Sequence, residues 1–374
     1  GQYGRFLAIE ARYREAMPLL EEALRLSEQL EQHETYAQAL VSRGIGLVRE
    51  ARFDEALMVL NHAITIATER GYAAAAIRAW NNLGVVYEAL DRYGDVVTQL
   101  GGTALDYTRR KGDRPMELSF LVGILPARVA LGDWDEALAT VQEVRAAPEL
   151  TTLTSMRAIL ADAVPIHVRR GDLDAAQELL DFSVVEGNFG PELMASRAAT
   201  QGEYLRARGS LRQVLEAIEP ALRLLPQLGL PHIAVKRALV QGIDAAIDLG
   251  DVSRADELMA IVREAAPGLV TPFLRAHAAR LRARLARIRG EADAGDADIR
   301  EAVEGFRQLR MPFEEAVALV ELAEWLAEDR PDEAEELAGQ ARGRFESLGA
   351  RPSMERSERV LQRDTRLAGA GGGA

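Results

Sequence analysis

Cysteine is missing from the 374-residue chain. That absence excludes a disulfide scaffold, a thiolate zinc site, an iron–sulfur cluster and a cysteine nucleophile together, and it fits a reducing compartment. Aromatic residues are scarce, at 5%, and only two lysines, Lys111 and Lys236, stand among 45 basic residues. The arginine skew reads as GC-rich coding and points to a bacterial source. No apolar run approaches the ~18–20 residues of a membrane helix. Positive charge is not in excess either: the net charge is −13, which argues against nucleic acid as a partner, because phosphates need a cationic footprint. The opening Gly1-Gln2-Tyr3-Gly4-Arg5 has neither Met nor a basic stretch before an apolar one. No signal peptide is therefore expected, and the chain reads as a piece of a longer, cytoplasmic product. What is present is 48% apolar and 28% charged residues, the composition of a core-forming chain rather than a disordered one.

A repeat organises that composition. Arg12-Tyr13-Arg14-Glu15-Ala16, Arg52-Phe53-Asp54-Glu55-Ala56, Asp133-Trp134-Asp135-Glu136-Ala137 and Asp172-Leu173-Asp174-Ala175-Ala176 share one pattern that ends on a small residue. Weaker copies place Val96, Val214, Ala255 and Ala334 at the same anchor, and one is eroded to Gly295. Successive anchors lie 38–41 residues apart, a regularity over nine copies that marks a solenoid. After each anchor, apolar residues recur at helical spacing, as in Val59, Leu60 and Ala63. Before it, a second amphipathic stretch ends in Gly132-Asp133, Gly171-Asp172 or Gly250-Asp251, where glycine suits a helix C-cap and aspartate caps the next helix. No period-2 alternation indicates a strand. The pattern predicts an all-α, right-handed α-solenoid of about eight helical hairpins plus partial ends. Its turns should fall near 51–53, 91–93, 131–134, 170–172, 208–210, 250–252 and 329–332. One domain is expected over 1–366, with an incomplete first repeat, each copy held by its neighbours, and a flexible Gly-rich tail at 367–374.

Trp80-x2-Leu83-Gly84-x2-Tyr87, with Val96 twelve residues after Gly84, resembles the tetratricopeptide repeat (TPR) signature. Gly44 and Gly202 stand twelve residues before Ala56 and Val214 and support the register. Units of about 40 residues rather than 34 imply longer helices. The stretches Pro272–Arg280, Met311-Pro312-Phe313, Leu322–Leu326 and Phe345–Pro352 are similar to the long-repeat C-terminal region of large bacterial signalling ATPases. That family joins a P-loop ATPase of the AAA/STAND type to a class III adenylate/guanylate cyclase or to a LuxR-type DNA-binding domain. No helix-turn-helix pattern follows Pro352, which favours the cyclase-linked relatives.

Chemistry within the chain is sparse. No Gly-x4-Gly-Lys-Ser/Thr phosphate loop is present, Gly44-Ile45-Gly46 fails the dinucleotide pattern, and no Gly-x-Ser-x-Gly elbow occurs. His33, His62, His167, His232 and His277 lack paired ligand spacing. The reading is no catalytic residue, no cofactor, no metal, and no enzyme in this chain alone. The densest charge is Arg275, Arg280, Arg282, Arg284, Arg287 and Arg289. Such a stripe suits an acidic partner. The simpler account is pairing with Glu314, Glu315, Glu321, Glu324 and Glu328 on the next first helix. Pro126 and Pro165, each eleven residues before an anchor, mean either a recurring kink or helices that start later.

An array of hairpins presents a continuous concave face whose usual work is binding proteins. The register puts Val41, Ile45, Val48, Asn81, Val85, Glu88, Val122, Pro126, Val129, Ala161, Pro165 and Val168 on that face. Ala199, Glu203, Arg206, Val240, Asp244, Ile247, Arg280, Arg284 and Arg287 follow. The first part is apolar and the second mixed. No lysine stands in the column, which speaks against a two-lysine clamp for peptide carboxylates. The expected function is a regulatory scaffold that binds a protein or peptide, or its own ATPase and cyclase domains. The alternative is a small-molecule effector sensor of the LuxR-linked kind. The apolar column is either binding surface or, under tight winding, packed core.

Overall fold

The computed structural model describes residues 2–9, 12–185 and 190–370. Among the described residues every regular element is helical. First helices such as His33–Arg49, Ala73–Ala89, Pro191–Ala207, Ile233–Asp248 and Pro272–Arg289 alternate with second helices such as Phe53–Glu69, Leu211–Arg223, Val252–Arg263 and Pro331–Leu348. The fold is all-α and TPR-like. Turns inside the hairpins lie at 50–52, 90–92, 132–133, 171–172, 208–210, 249–251 and 327–330, each within two residues of its expected place. Asp172 and Asp251 accept the backbone N–H three residues on, at 3.1 and 3.0 Å, whereas Asp133 makes no capping bond. Contacts gather into two compact units, Gly1–Ala127 and Arg128–Ala374. Of the expected tail, residues 367–370 end the last helix, Arg351–Ala370, and 371–374 lie outside the described residues.

The anchors are the centre of each hairpin. Ala16, Ala56, Val96, Ala137, Ala176, Val214, Ala255 and Ala334 are all fully buried. Opposite them, Gly44, Gly84 and Gly202 let the paired helix come so close that an added Cβ would lie 2.7, 2.6 and 2.8 Å from Leu60, Leu100 and Ile218. Each of those three residues stands four positions after its anchor, so one register defines these three seams. Trp80, Leu83 and Tyr87 are buried around Gly84, and the Trp80 ring meets Tyr107 at 5.0 Å. The eroded anchor also has a cause: the Trp325 ring occupies the space a Cβ on Gly295 would need.

Both prolines interrupt helices that begin upstream of them. The first helix of the fourth copy runs Arg114–Gly123 and resumes at Leu125–Leu131 after Ile124. That of the fifth runs Thr154–Ile159, tightens into a 3₁₀ turn at Leu160–Ala163, and continues as Val164–Arg170. Proline has no N–H to donate and its ring crowds the carbonyl four residues back. An interruption next to each proline, not a helix that simply starts later, is the outcome.

The second unit departs from a nearest-neighbour array. Gly132 and Gly171, left-handed at φ 84° and 81°, end the first helices of copies four and five. Their bare Cα faces receive proline rings: a Cβ would lie 2.7 Å from Pro312 and 3.0 Å from Pro352. These partners are 180 and 181 residues further on, the same offset to within one residue. Arg170 Nε donates to the Leu348 carbonyl at 3.2 Å. Trp134 and Phe345 lie on either side of Phe313, each 5.7 Å between centroids. The expectation that copies touch only their neighbours is corrected here: within this unit the ninth copy and the helix after it close on the fourth and fifth.

Candidate interaction surface

In the first unit the column sits on His33–Arg49, Ala73–Ala89 and Arg114–Gly123. Val41 and Val122 are buried in the seams; Ile45, Val48, Glu88 and Pro126 are half-buried. Asn81 and Val85 reach solvent, Val85 at 44%. An exposed valine flanked by half-buried aliphatics one hairpin back can hold an apolar side chain, and Asn81, one helical turn before it, can bond to a peptide backbone.

The same register in the second unit is built differently. Val129, Ala161, Pro165, Ala199, Val240 and Ile247 are buried, and Val168 is half-buried. Between them the charged members bind one another. Asp244 accepts from Arg280 and Arg284, and Arg206 lies 3.4 Å from it. Asp248 receives Arg284 at 2.5 Å and Arg206 at 2.7 Å. Arg280 spans to Glu321 at 2.9 Å. Burial alone would push the Asp244 carboxyl up, but Arg280, Arg206 and Arg284 outweigh it and hold Asp244 far below the usual carboxylate range. A second cluster joins Arg169 to Glu203 at 3.0 Å and to Glu314 at 3.1 Å. Arg237 adds contacts to Glu203 at 3.4 Å and to Asp162 at 3.5 Å. Burial raises Glu203 less than Arg169 and Arg237 lower it, whereas in Glu314 burial wins over Arg169 and the carboxyl is raised. Arg169 also stacks over Phe313, 4.4 Å from its centroid, which ties the charge cluster to the closing contact.

The arginine stripe is therefore paired, though mostly not with the glutamates expected. Of those five, Glu321 alone makes a side-chain pair with the stripe among the described residues. Glu314 turns to Arg169, Glu315 to Arg307 and Arg344, and Glu324 to Arg356, while Glu328 is exposed. Arg287 is exposed and reaches the Glu324 carbonyl at 3.4 Å. Sequence reasoning passed over Arg169 and Asp248, although each directly follows a column residue, Val168 and Ile247, at the mouth of its helix. Asp162 likewise follows the column residue Ala161, whereas Arg237 and Glu314 lay away from that register.

Elsewhere a polar pocket of about 470 Å³ opens between Trp134–Arg145 and Leu173–Phe182, lined by Gln142, Arg145, His167 and Glu178. Arg145 bonds Glu178 at 2.9 Å, and burial pushes the His167 imidazole below its ordinary value. No group of three or more His, Asp or Glu among the described residues is arranged to hold a metal ion. None of their helices is long and apolar enough to cross a membrane.

Neither a protein-family model nor a characterised protein sequence matches the chain. Solved structures do. The apo form of the quorum sensor NprR from B. thuringiensis is 16% identical, over 92% of this chain and 86% of that one, at a TM-score of 0.41. Yeast Tom70 is 13% identical over 88% and 77%, at 0.28. The TPR domain of P58(IPK) is 14% identical over 97% of both chains, at 0.23. Similarity at this level speaks to neither ligand nor partner.

Proposed function

We propose that the chain is a non-catalytic interaction and regulatory module that binds a protein or peptide on the column of its first unit, through Ile45, Val48, Asn81, Val85 and Glu88, with Val41 and Val122 buried behind them. One observation carries the reading. Eleven residues before the anchor stand Ile45 and Val85 in the first unit and Glu203, Asp244 and Arg284 in the second. The charged set is consumed by internal ion pairs, whereas Val85 remains exposed. Val129, Val168, Arg206, Arg280 and Arg284 then serve to hold the second unit together, with Arg287 at its rim. The sequence likeness to signalling ATPases supports an intramolecular partner, an ATPase or cyclase domain of a cytoplasmic bacterial protein. Val85→Asp tests this. It should weaken association with the remainder of the full-length protein, supplied in trans and followed by calorimetry, by about tenfold or more, with helicity and melting unchanged. Undiminished association would sink the proposal. A second reading, a small-molecule sensor, is favoured by the pocket at Gln142, Arg145, His167 and Glu178. An effector that raises the melting temperature of the chain but not of an Arg145→Ala variant would support it.

A further inference from the structure

The outer face of copies four and five carries an inference beyond the column. The pocket there lies between the second helices Trp134–Arg145 and Leu173–Phe182, and His167, from the first helix Val164–Arg170, forms part of its wall. Nine residues before the anchor, other copies bury Leu47, Tyr87, Ala246 and Ala286, at most 6% exposed. A polar side chain at such a position needs a partner. Copy four has Arg128 there, and its guanidinium donates to the Glu136 carbonyl at 3.1 Å and to the Thr140 hydroxyl at 2.5 Å. Copy five has His167, half-buried, whose ring bonds to no protein group among the described residues. Its ring nitrogens are available to a ligand.

Arg145 is the fixed charge beside it. Its guanidinium stacks on the Phe182 ring, 4.5 Å from the centroid, and its side chain is 28% exposed. Glu178, its partner at 2.9 Å, is 68% exposed, and a pair that open to solvent is worth only about 0–1 kcal/mol. Glu178 can therefore turn outward while the stacked guanidinium stays, with its planar fork of donors ready for another carboxylate. The Gln142 amide, which bonds to no protein group among the described residues, adds neutral donors on the same wall. Arg157, 5.6 Å from the same Phe182 ring, makes no ion pair among the described residues, so positive charge around that ring exceeds what Glu178 supplies. The rest of the lining is short and aliphatic, with Val141, Ala175 and Leu179. A cation would find only Glu178 there, which Arg145 already neutralises.

We infer that this pocket binds a small aliphatic monocarboxylate, whose carboxylate takes the place of Glu178 on Arg145 and accepts from Gln142 and His167. The assignment names the effector class of the small-molecule reading above and rests on it. Hexanoate is the probe, with hexanamide and hexylamine as its neutral and cationic counterparts, each titrated against the full chain by ligand-observed NMR. Hexanoate should saturate, with the other two at least about tenfold weaker. Arg145→Gln should weaken hexanoate about tenfold at unchanged helicity, and His167→Ala should weaken it too. Glu178→Gln should strengthen it, because the competing carboxylate is gone, and a damaged fold cannot mimic that gain. Hexanamide or hexylamine binding as tightly as hexanoate, with the same dependence on Arg145, overturns the carboxylate assignment and leaves the small-molecule reading standing. No saturation by any of these probes removes both. Hexanoate binding that Arg145→Gln leaves intact, or that Glu178→Gln weakens, likewise overturns the inference.

Discussion

Replacing Asp244 by asparagine is the sharpest test of how the second unit is held. The Asp244 side chain is 10% exposed and that of Arg280 6%, and Arg284 and Arg206 close the remaining sides at 21% and 31%. Asparagine keeps the shape and one acceptor but removes the charge, which leaves three guanidiniums to share Asp248 and Glu321. Breaking a buried pair by neutralising one partner costs about 3–5 kcal/mol, because the stranded charge stays desolvated. For a body of this size about 1 kcal/mol moves melting by ~2–4 °C, so Asp244→Asn should melt some ~6–20 °C lower. Circular dichroism in urea at neutral pH reads the free energy directly.

The pH dependence gives the result that would refute the reasoning. In the folded chain the Asp244 carboxyl is held below its unfolded value of ~3.9. Its stabilisation is complete above that value and is lost as pH falls through the lower, folded one. The gap between wild type and Asp244→Asn should therefore be widest at neutral pH and narrow below about pH 4. A cost under ~1 kcal/mol at pH 7, or one that does not narrow in acid, would show that Asp244 is solvated rather than buried among arginines. An apolar replacement of Asp244 and Arg280 together should cost less than the single change, since Arg206 and Arg284 then keep Asp248 and Glu321 and the charges left in the cluster balance.

Gly295→Ala should cost about 1–3 kcal/mol through overpacking against Trp325, and a second change, Trp325→Leu, should recover part of it; a neutral Gly295→Ala in thermal melts would mean that the ring is free to move. Ala56→Leu and Ala137→Leu should each cost about 1–3 kcal/mol and differ in reach. Hydrogen exchange should show lost protection next to residue 56 in the first case, and in the second also at 312–348, where the unit closes; identical, purely local footprints would contradict the closing contacts.

How much of this was legible in the sequence follows from which distances a repeat encodes. The anchor spacing is a local quantity, fixed by two helices and two turns, and it placed the seven turns expected from it within two residues. The column register is equally local, since residues three and four apart share a helix face, and it brought Arg206, Asp244, Arg280 and Arg284 to one cluster. What each faces is not local. Glu314 was expected opposite the stripe on the adjacent first helix, yet it meets Arg169, 145 residues earlier, because the winding brings copies four and five under copy nine.

Winding is set by the small rotation between successive hairpins, which depends on side-chain volumes at each seam and leaves no period in the sequence. One signal was nevertheless present. Pro312 and Pro352 each open a first helix, and Gly132 and Gly171 each close one, at offsets equal to within a single residue. Proline there offers a flat, apolar ring with no N–H to satisfy, and glycine alone offers a bare backbone at positive φ. Two such pairs at one offset are what a self-closing array requires wherever successive turns touch. The closing also explains why the two halves of the column differ. A face that winds shut must fill its interior with side chains that satisfy each other, and arginine, with five donors in a planar fork, can bridge carboxylates on two neighbouring helices at once. Arg280 does this between Asp244 and Glu321, and Arg169 between Glu203 and Glu314. Lysine, a point charge on a flexible stem, bridges two carboxylates less well, yet Lys236 is itself fully buried in this unit, so the scarcity of lysine along the whole chain keeps its reading as coding bias.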